Sequence, residues 1–318
     1  MVLYYCDIYI KWGEVLQEFI ENKMRMISDD FYQNLNMKKC YCELKQFRFD
    51  SNNIPNYNKQ IFQQYYLLKY LPGYFVEYYY IYSSIINDKF IEDDLNILSV
   101  GCGAGIDLWS AHYAFLNNAY NRRIRYTGLD IVDWGYWDDC DEEAYFLNND
   151  INHLNKLDEK EYNIIIFPKS IGEFDSRCFD KLKECIENTN FTKEKIIFIA
   201  SMRKARAQED VSRFSEIISL MINKNYYALD NHNRWNIFRK KKNGYDYRIS
   251  DIISNLKYPS NIEELVTTFY KNCEGYKDNG LKCCESECKE IFTRRPIKTM
   301  SQVAYTIIRL EKKVWFIW

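Results

Sequence analysis

The chain has 318 residues, and its 43 Lys and Arg against 45 Asp and Glu give a formal net charge of −2. That length can bury a sizeable core, while the balanced charge excludes a global affinity for polyanions, so any nucleic-acid surface has to be local. No apolar stretch approaches a bilayer span, Met1 to Ile10 lacks the basic start and small-residue cleavage site of a secretory signal, and the 11 cysteines are odd in number; the expectation is a cytoplasmic protein with reduced thiols and no membrane contact.

Residues 1–94 carry helical patterning with breaks at Ser51-Asn52-Asn53-Ile54-Pro55-Asn56 and at Leu71-Pro72-Gly73, which predicts several helices joined by turns. The stretch from Gln63 to Tyr80 is the most aromatic in the chain. Its rings either pack the helix onto a sheet or, through Tyr65, Tyr66 or Tyr70, cover a ligand cleft. Leu98-Ser99-Val100 then runs into Gly101-Cys102-Gly103-Ala104-Gly105 and Ile106-Asp107-Leu108. This reads as a strand, a tight turn and a helix start, with glycine needed where a ligand approaches the backbone and where a Cβ would obstruct the turn. Cys102 reads as a small apolar filler. Ile124 to Asp130, Ala144 to Asp150, Tyr162 to Pro168 and Lys193 to Ala200 are further apolar runs, the last two nearly continuous, as in strands buried on both faces. Helical stretches separate them. Alternating strands and helices argue a parallel sheet covered on both faces, in which ligands sit at the strands' carboxyl ends where strand order reverses. Gly101, Asp130, Asp150 and Pro168 all fall at such ends.

Beyond the sheet runs come Arg203-Lys204-Ala205-Arg206 and a basic, aromatic stretch from Arg234 to Arg248 containing Asn243-Gly244. Interleaved cations and rings suit phosphates and stacked bases; the same residues suit a solvated hairpin with a lysine-protected edge. Cys273, Cys283, Cys284 and Cys288 cluster in a polar segment. They are four thiolates in number but have no paired Cys-x-x-Cys spacing, so free thiols are expected and no metal. Ser301 to Leu310 alternates as a final strand, and the apolar tail to Trp318 is expected to dock on the body.

From about Leu95 to Leu310 the chain resembles the class I S-adenosylmethionine-dependent methyltransferases, through Val100-Gly101-Cys102-Gly103-Ala104-Gly105, Leu129-Asp130, Asn149-Asp150-Ile151 and Phe167-Pro168-Lys169-Ser170. The resemblance implies an α/β, Rossmann-like sheet, mostly parallel, whose last strand inserts antiparallel between two others. A helical extension over 1–94 would precede a catalytic domain over 95–318 with a Cys-containing insertion near 271–290. It implies S-adenosylmethionine as cofactor. Gly101, Cys102, Gly103 and Gly105 would border its methionine moiety, Asp130 would hold its ribose, Asp150 with Ile151 would border its adenine and Ile131 would also contact the cofactor, while Pro168 and Lys169 would open the loop where methyl transfer occurs. A nicotinamide-dependent oxidoreductase also uses a glycine turn and a downstream acid, but its fingerprint needs Gly or Ala where Ile106 stands.

Methyl transfer asks the protein mainly for approach geometry and acceptor deprotonation. Lys169 and Glu173 are the polar candidates for catalysis. A structural alternative has Ser170 capping the next helix, with Glu173 completing a capping box. The loop lacks the Pro-Cys of pyrimidine C5 methyltransferases and the Asn/Asp-Pro-Pro-aromatic motif of many amine methyltransferases, which leaves the acceptor open; the basic stretch favours RNA. A cofactor-binding module that acts through a partner is the other functional class, and the intact glycine turn with Asp130 favours the enzyme.

Overall fold

The computed structural model describes residues 2–37, 56–118, 122–137, 143–157, 161–237 and 303–313. The Cys273–Cys288 cluster, most of the Arg234–Arg248 stretch and the Trp318 tail lie outside these residues. The chain forms two compact units whose boundary falls between Val76 and Glu77.

The first unit contains helix α1 (Val2–Met37) and helix α2 (Gln60–Asp88) as far as Val76. In α1, Leu16, Ile20, Met24, Ile27, Phe31 and Leu35 are buried, at the three- and four-residue spacing of one helix face. That face meets α2 through Phe19 on Phe75, ring centroids 5.3 Å apart, and through a hydrogen bond from Asn34 Nδ2 to Gln64 Oε1 of 3.0 Å. The expected break at Leu71-Pro72-Gly73 is wrong: α2 runs through Pro72. A mid-helix proline costs about 3 kcal/mol in lost hydrogen bond and ring clash. Leu67, Leu68, Leu71 and Phe75 are all buried around it, and at about 1.5–3 kcal/mol each their burial outweighs that cost. The tyrosines of the stripe pack on one another, Tyr66 tilted against Tyr70 at 5.0 Å and Tyr70 stacked on Tyr74 at 5.1 Å.

The second unit begins with the end of α2, from Glu77, and is built on one sheet. Its strands are β1 (Leu95–Val100), β2 (Ile124–Asp130), β3 (Glu143–Asn148), β4 (Ile164–Pro168), β5 (Lys195–Arg203), β6 (Tyr226–Ala228), β7 (Asn236–Ile237) and β8 (Val303–Lys312). The spatial order is β3-β2-β1-β4-β5-β8-β6, with the short β7 also paired to β8. β1 to β5 pair in parallel, and β8 is antiparallel to both β5 and β6. This is the doubly wound, mostly parallel sheet expected from the alternation of strands and helices, with the late antiparallel strand that the resemblance implies. Helices α3 (Ile106–Asn117), α4 (Ser176–Asn188) and α5 (Ala207–Asn223) supply the crossovers. All six residues of β1 are buried, as are Ile164 to Phe167 of β4. α4 buries Phe179, Leu182, Cys185 and Ile186, and α5 buries Val211, Phe214, Ile217, Ile218 and Met221 against the same core. β5 runs past Ala200 to Arg203, so a residue that reads as part of a loose basic run is instead fixed at a strand's carboxyl end.

Candidate functional site

Strand order reverses at β1, which has β2 on one side and β4 on the other. The crevice beyond the carboxyl ends of β1 and β4 is therefore where a ligand is expected. The three glycines after β1 all take left-handed backbone, with φ of 70° at Gly101, 55° at Gly103 and 73° at Gly105. Gly101 is required on a second count, because a Cβ there would lie 2.4 Å from the Cβ of Ser170. The turn is tied to β2 by hydrogen bonds from the Gly101 and Cys102 amides to the Leu129 carbonyl, at 2.7 and 3.2 Å. Cys102 is buried, as a small filler should be, and burial pushes its thiol well above the usual range.

Asp130 joins turn and strand. The Gly103 amide donates to its Oδ2 at 2.7 Å and the Val132 amide to its Oδ1 at 2.9 Å. Burial raises its carboxyl above the ordinary value, against the lowering pull of those two amides. The next residue, Ile131, is 65 % exposed, an apolar surface at the rim of the crevice. Asp150 is differently employed: its Oδ1 accepts from the Asn152 amide at 2.9 Å and from Asn152 Nδ2 at 3.0 Å, capping the short 3-10 turn Ile151–His153. Ile151 is buried in the core.

The loop after β4 is clamped at several points. Lys169 has φ of 62°, and its Nζ donates to Glu77 Oε2 at 2.5 Å and to Ser201 Oγ at 2.8 Å, with Tyr78's ring 4.8 Å beneath it. The side chains of Lys169 and Glu77 are 7 % and 0 % exposed. Burial lowers Lys169 and raises Glu77, opposed in each by the partner's charge. The Ser170 hydroxyl donates to the Val100 carbonyl, and Arg213 Nη1 holds the Ile171 and Phe174 carbonyls at 3.2 and 2.6 Å. The capping-box alternative is thereby overturned. α4 begins six residues later, at Ser176, and its cap is Asp175, which accepts from the Cys178 amide at 2.7 Å; Ser170 is drawn away because the β1 turn approaches it so closely.

Glu173 projects from this loop with its side chain 43 % exposed and its Oε1 3.5 Å from Arg203 Nη2. Atoms packed around it raise its carboxyl above the ordinary value, against the pull of Arg203. Lys169 and Glu173, adjacent candidates in sequence, thus part company: one is locked in a buried pair, the other faces solvent.

Three features of the site were not anticipated from the sequence. Trp137 Nε1 donates to the Gly103 carbonyl at 2.8 Å while its ring stacks on Phe146 at 4.4 Å, so that the aromatic Trp134-Gly135-Tyr136-Trp137 run braces the glycine turn. Asp107, 1 % exposed in the first turn of α3, accepts from the Tyr126 hydroxyl at 3.1 Å to each oxygen, and burial raises it to about 6. Asp210, in the first turn of α5, is 5 % exposed with no hydrogen-bond partner at Oδ1, and desolvation raises it to about 6. For Asp107 the signal was an acid between Ile106 and Leu108; Asp210, between Glu209 and Val211, gave none. Among the described residues no group of His, Cys, Asp and Glu could hold a metal, and no helix is long and apolar enough to cross a membrane.

No protein-family model and no curated protein matches the chain. Among solved structures it is similar to the plantazolicin methyltransferase BpumL in complex with SAH, at 13 % identity over 91 % of this chain and 100 % of that one, TM-score 0.43. It is also similar to a TehB-like SAM-dependent methyltransferase from Corynebacterium glutamicum, at 10 % identity over 73 % of this chain and 88 % of that one, TM-score 0.36. A third similar structure is the 1,6-didemethyltoxoflavin-N1-methyltransferase of Burkholderia thailandensis, at 10 % identity over 74 % and 79 %, TM-score 0.37.

Proposed function

We propose that the protein is an S-adenosylmethionine-dependent methyltransferase whose cofactor lies along the β1 turn and Asp130. The observation that carries this is the Asp130 carboxylate fastened to the Gly103 amide across two neighbouring strand ends, in a turn of three left-handed glycines at the reversal of strand order. The residues fit that group. Asp130, held by the Gly103 and Val132 amides at the end of β2, is the carboxylate placed to receive ribose hydroxyls. Ile131 offers an exposed apolar face to a purine, and the glycine backbone admits an amino-acid moiety at close range. When bound, the cofactor supplies the electrophilic methyl group. The protein's part is to hold the acceptor in line and take its proton.

Lys169 is engaged by Glu77 and Ser201 and is assigned the rigidity of the loop. Glu173 is assigned to the acceptor side. The Asp150 carboxylate, occupied by Asn152, contributes by fixing the chain past β3.

Calorimetric titration of the full chain with S-adenosylmethionine tests the reading. Asp130→Ala is expected to weaken binding by about 1.5–3 kcal/mol, the loss that charged hydrogen bonds carry. Equal affinity in wild type and variant would refute the assignment.

A further inference from the structure

Strand pairing brings two basic runs, far apart in the chain, to the same end of the sheet. β5 ends in Arg203, and the 3-10 turn Lys204–Arg206 that follows has no buried residue. Across β8 from it, β7 runs in the same direction as β5, because both are antiparallel to β8. Ile237 pairs with Ala304, and Ala304 with Met202. Ile237 thus stands level with Met202 at two strand spacings, about 10 Å, and the chain leaves it toward the end where Arg203 stands. Arg234 precedes β7, and Arg239-Lys240-Lys241-Lys242 begins two residues after Ile237, within a covalent reach of about 7 Å. The charges at this end do not cancel. Arg203 takes up Glu173 at 3.5 Å and Arg206 takes up Glu209 at 3.2 Å. Asp175 caps α4, whose first turn carries Arg177, and the buried Asp210 shares the first half of α5 with Arg213. Asp130, toward the cofactor, is held by backbone amides. Lys204 and Arg234 are the excess: both are exposed, and neither meets a carboxylate among the described residues.

We propose that this end of the sheet grips the phosphates of a nucleic-acid strand, the methyl acceptor, through Lys204, Arg234 and the open sides of Arg203 and Arg206. The proposal rests on the cofactor reading above. The whole chain carries a formal charge of only −2, so affinity for a polyanion has to come from a local patch of this kind. The arginines are 41 % and 33 % exposed at the side chain. Each guanidinium has five N–H donors, more than one carboxylate occupies, and the remainder can bond phosphate oxygens. The patch opens to solvent at the carboxyl end of β5, next to β4, whose loop borders the crevice. A strand held there by its phosphates has a base within reach of the crevice. The acceptor is a single strand, because a base inside a duplex is stacked and paired and has to be drawn out before its atoms can be reached.

The test is a fluorescence anisotropy titration of the full chain with a labelled, mixed-sequence RNA strand of about 12 nucleotides. The same sequence as a DNA strand and as a duplex, and polyglutamate as a polyanion without bases, serve as further probes. Saturable binding of a single strand is expected, tighter than of the duplex; tighter binding of RNA than DNA, or the reverse, supports the proposal equally and names the source. Three or four phosphate contacts make the affinity fall about 20- to 50-fold between about 50 and 200 mM salt. Lys204→Ala and Arg234→Ala should each weaken binding about two- to fivefold and reduce the salt slope by about 0.7. Lys193→Ala, just before the opposite end of β5, should change neither. The calorimetric affinity of all three variants for S-adenosylmethionine should stay within about threefold of wild type. No saturable strand binding, polyglutamate competing as well as the strand, or an equal loss in Lys193→Ala would overturn the proposal. Strand binding as expected in a protein that does not bind S-adenosylmethionine would sink the cofactor reading and the acceptor role with it; cofactor binding without strand binding would sink the nucleic-acid surface alone.

Discussion

Replacing Lys169 by methionine removes the cation paired with Glu77, a carboxylate whose side chain is fully buried and which otherwise keeps the Ser201 hydroxyl. Two charges withdrawn from water repay that withdrawal only through each other, so deletion of one leaves the other uncompensated at a cost of about 3–5 kcal/mol. The 2.5 Å contact and the 7 % and 0 % exposures put this pair at the buried extreme, where solvent screening gives no relief. Against a total stability of about 5–15 kcal/mol the loss is large. With a urea slope of about 3 kcal/mol/M, the unfolding midpoint read by circular dichroism should fall by roughly 1–1.7 M. The double variant Glu77→Gln, Lys169→Met removes both charges and keeps an acceptor for Ser201, and it should recover at least half of that loss. A single-variant loss below about 1 kcal/mol, or a double variant no better than the single, would refute the buried-pair account. The same double variant separates frame from chemistry, since S-adenosylmethionine affinity should stay within about threefold of wild type if Lys169 serves only the loop.

The glycines of the turn should not be equivalent. Gly101→Ala meets both a left-handed backbone and Ser170 at 2.4 Å, whereas Gly103→Ala has 3.8 Å to its nearest neighbour, Trp134; the first should cost about 2–5 kcal/mol in thermal unfolding and the second about 1–2. Equal costs would show that the Ser170 contact gives way easily. Asp107 and Asp210 are buried acids whose folded values, about 6, lie above their ordinary value of 3.8. The folded state therefore holds their protons more tightly, so stability is highest below about pH 4 in this contribution and declines as pH rises to about 6. Asp210→Asn should flatten that slope in urea unfolding followed from about pH 4 to pH 7, and an unchanged slope would count against a desolvated Asp210. Trp137→Phe, which deletes the indole donor to the Gly103 carbonyl but keeps the stack on Phe146, should weaken S-adenosylmethionine binding about three- to tenfold through a looser turn; calorimetry showing no change would make that brace irrelevant to the cofactor.

Local chemistry was enough to make the order of strands and helices legible. Near-continuous apolar runs such as Ile164 to Phe167 can be stable only as strands covered on both faces, and a Gly-x-Gly-x-Gly turn after the first of them leaves little choice of backbone. For the same reason Gly101, Gly103 and Asp130 could be singled out by position: each stands where a strand ends. Tertiary structure decided what spacing along the chain cannot show. Pro72 reads as a break because the cost of a helical proline is local, while the burial of Leu71 and Phe75 that offsets it comes from packing. Ser170 and Glu173 match a capping box by spacing, yet Ser170 is claimed by Val100, a residue 70 positions away. Lys169 and Glu173 are alike as polar neighbours of the β4 end; only the fold, by placing Glu77 and Ser201 under one and Arg203 beside the other, makes the first a strut and the second an open acid. Periodicity reports which face of an element is apolar, but the partner of a buried charge is set by where distant segments meet, and that is written in the packing of the whole sheet.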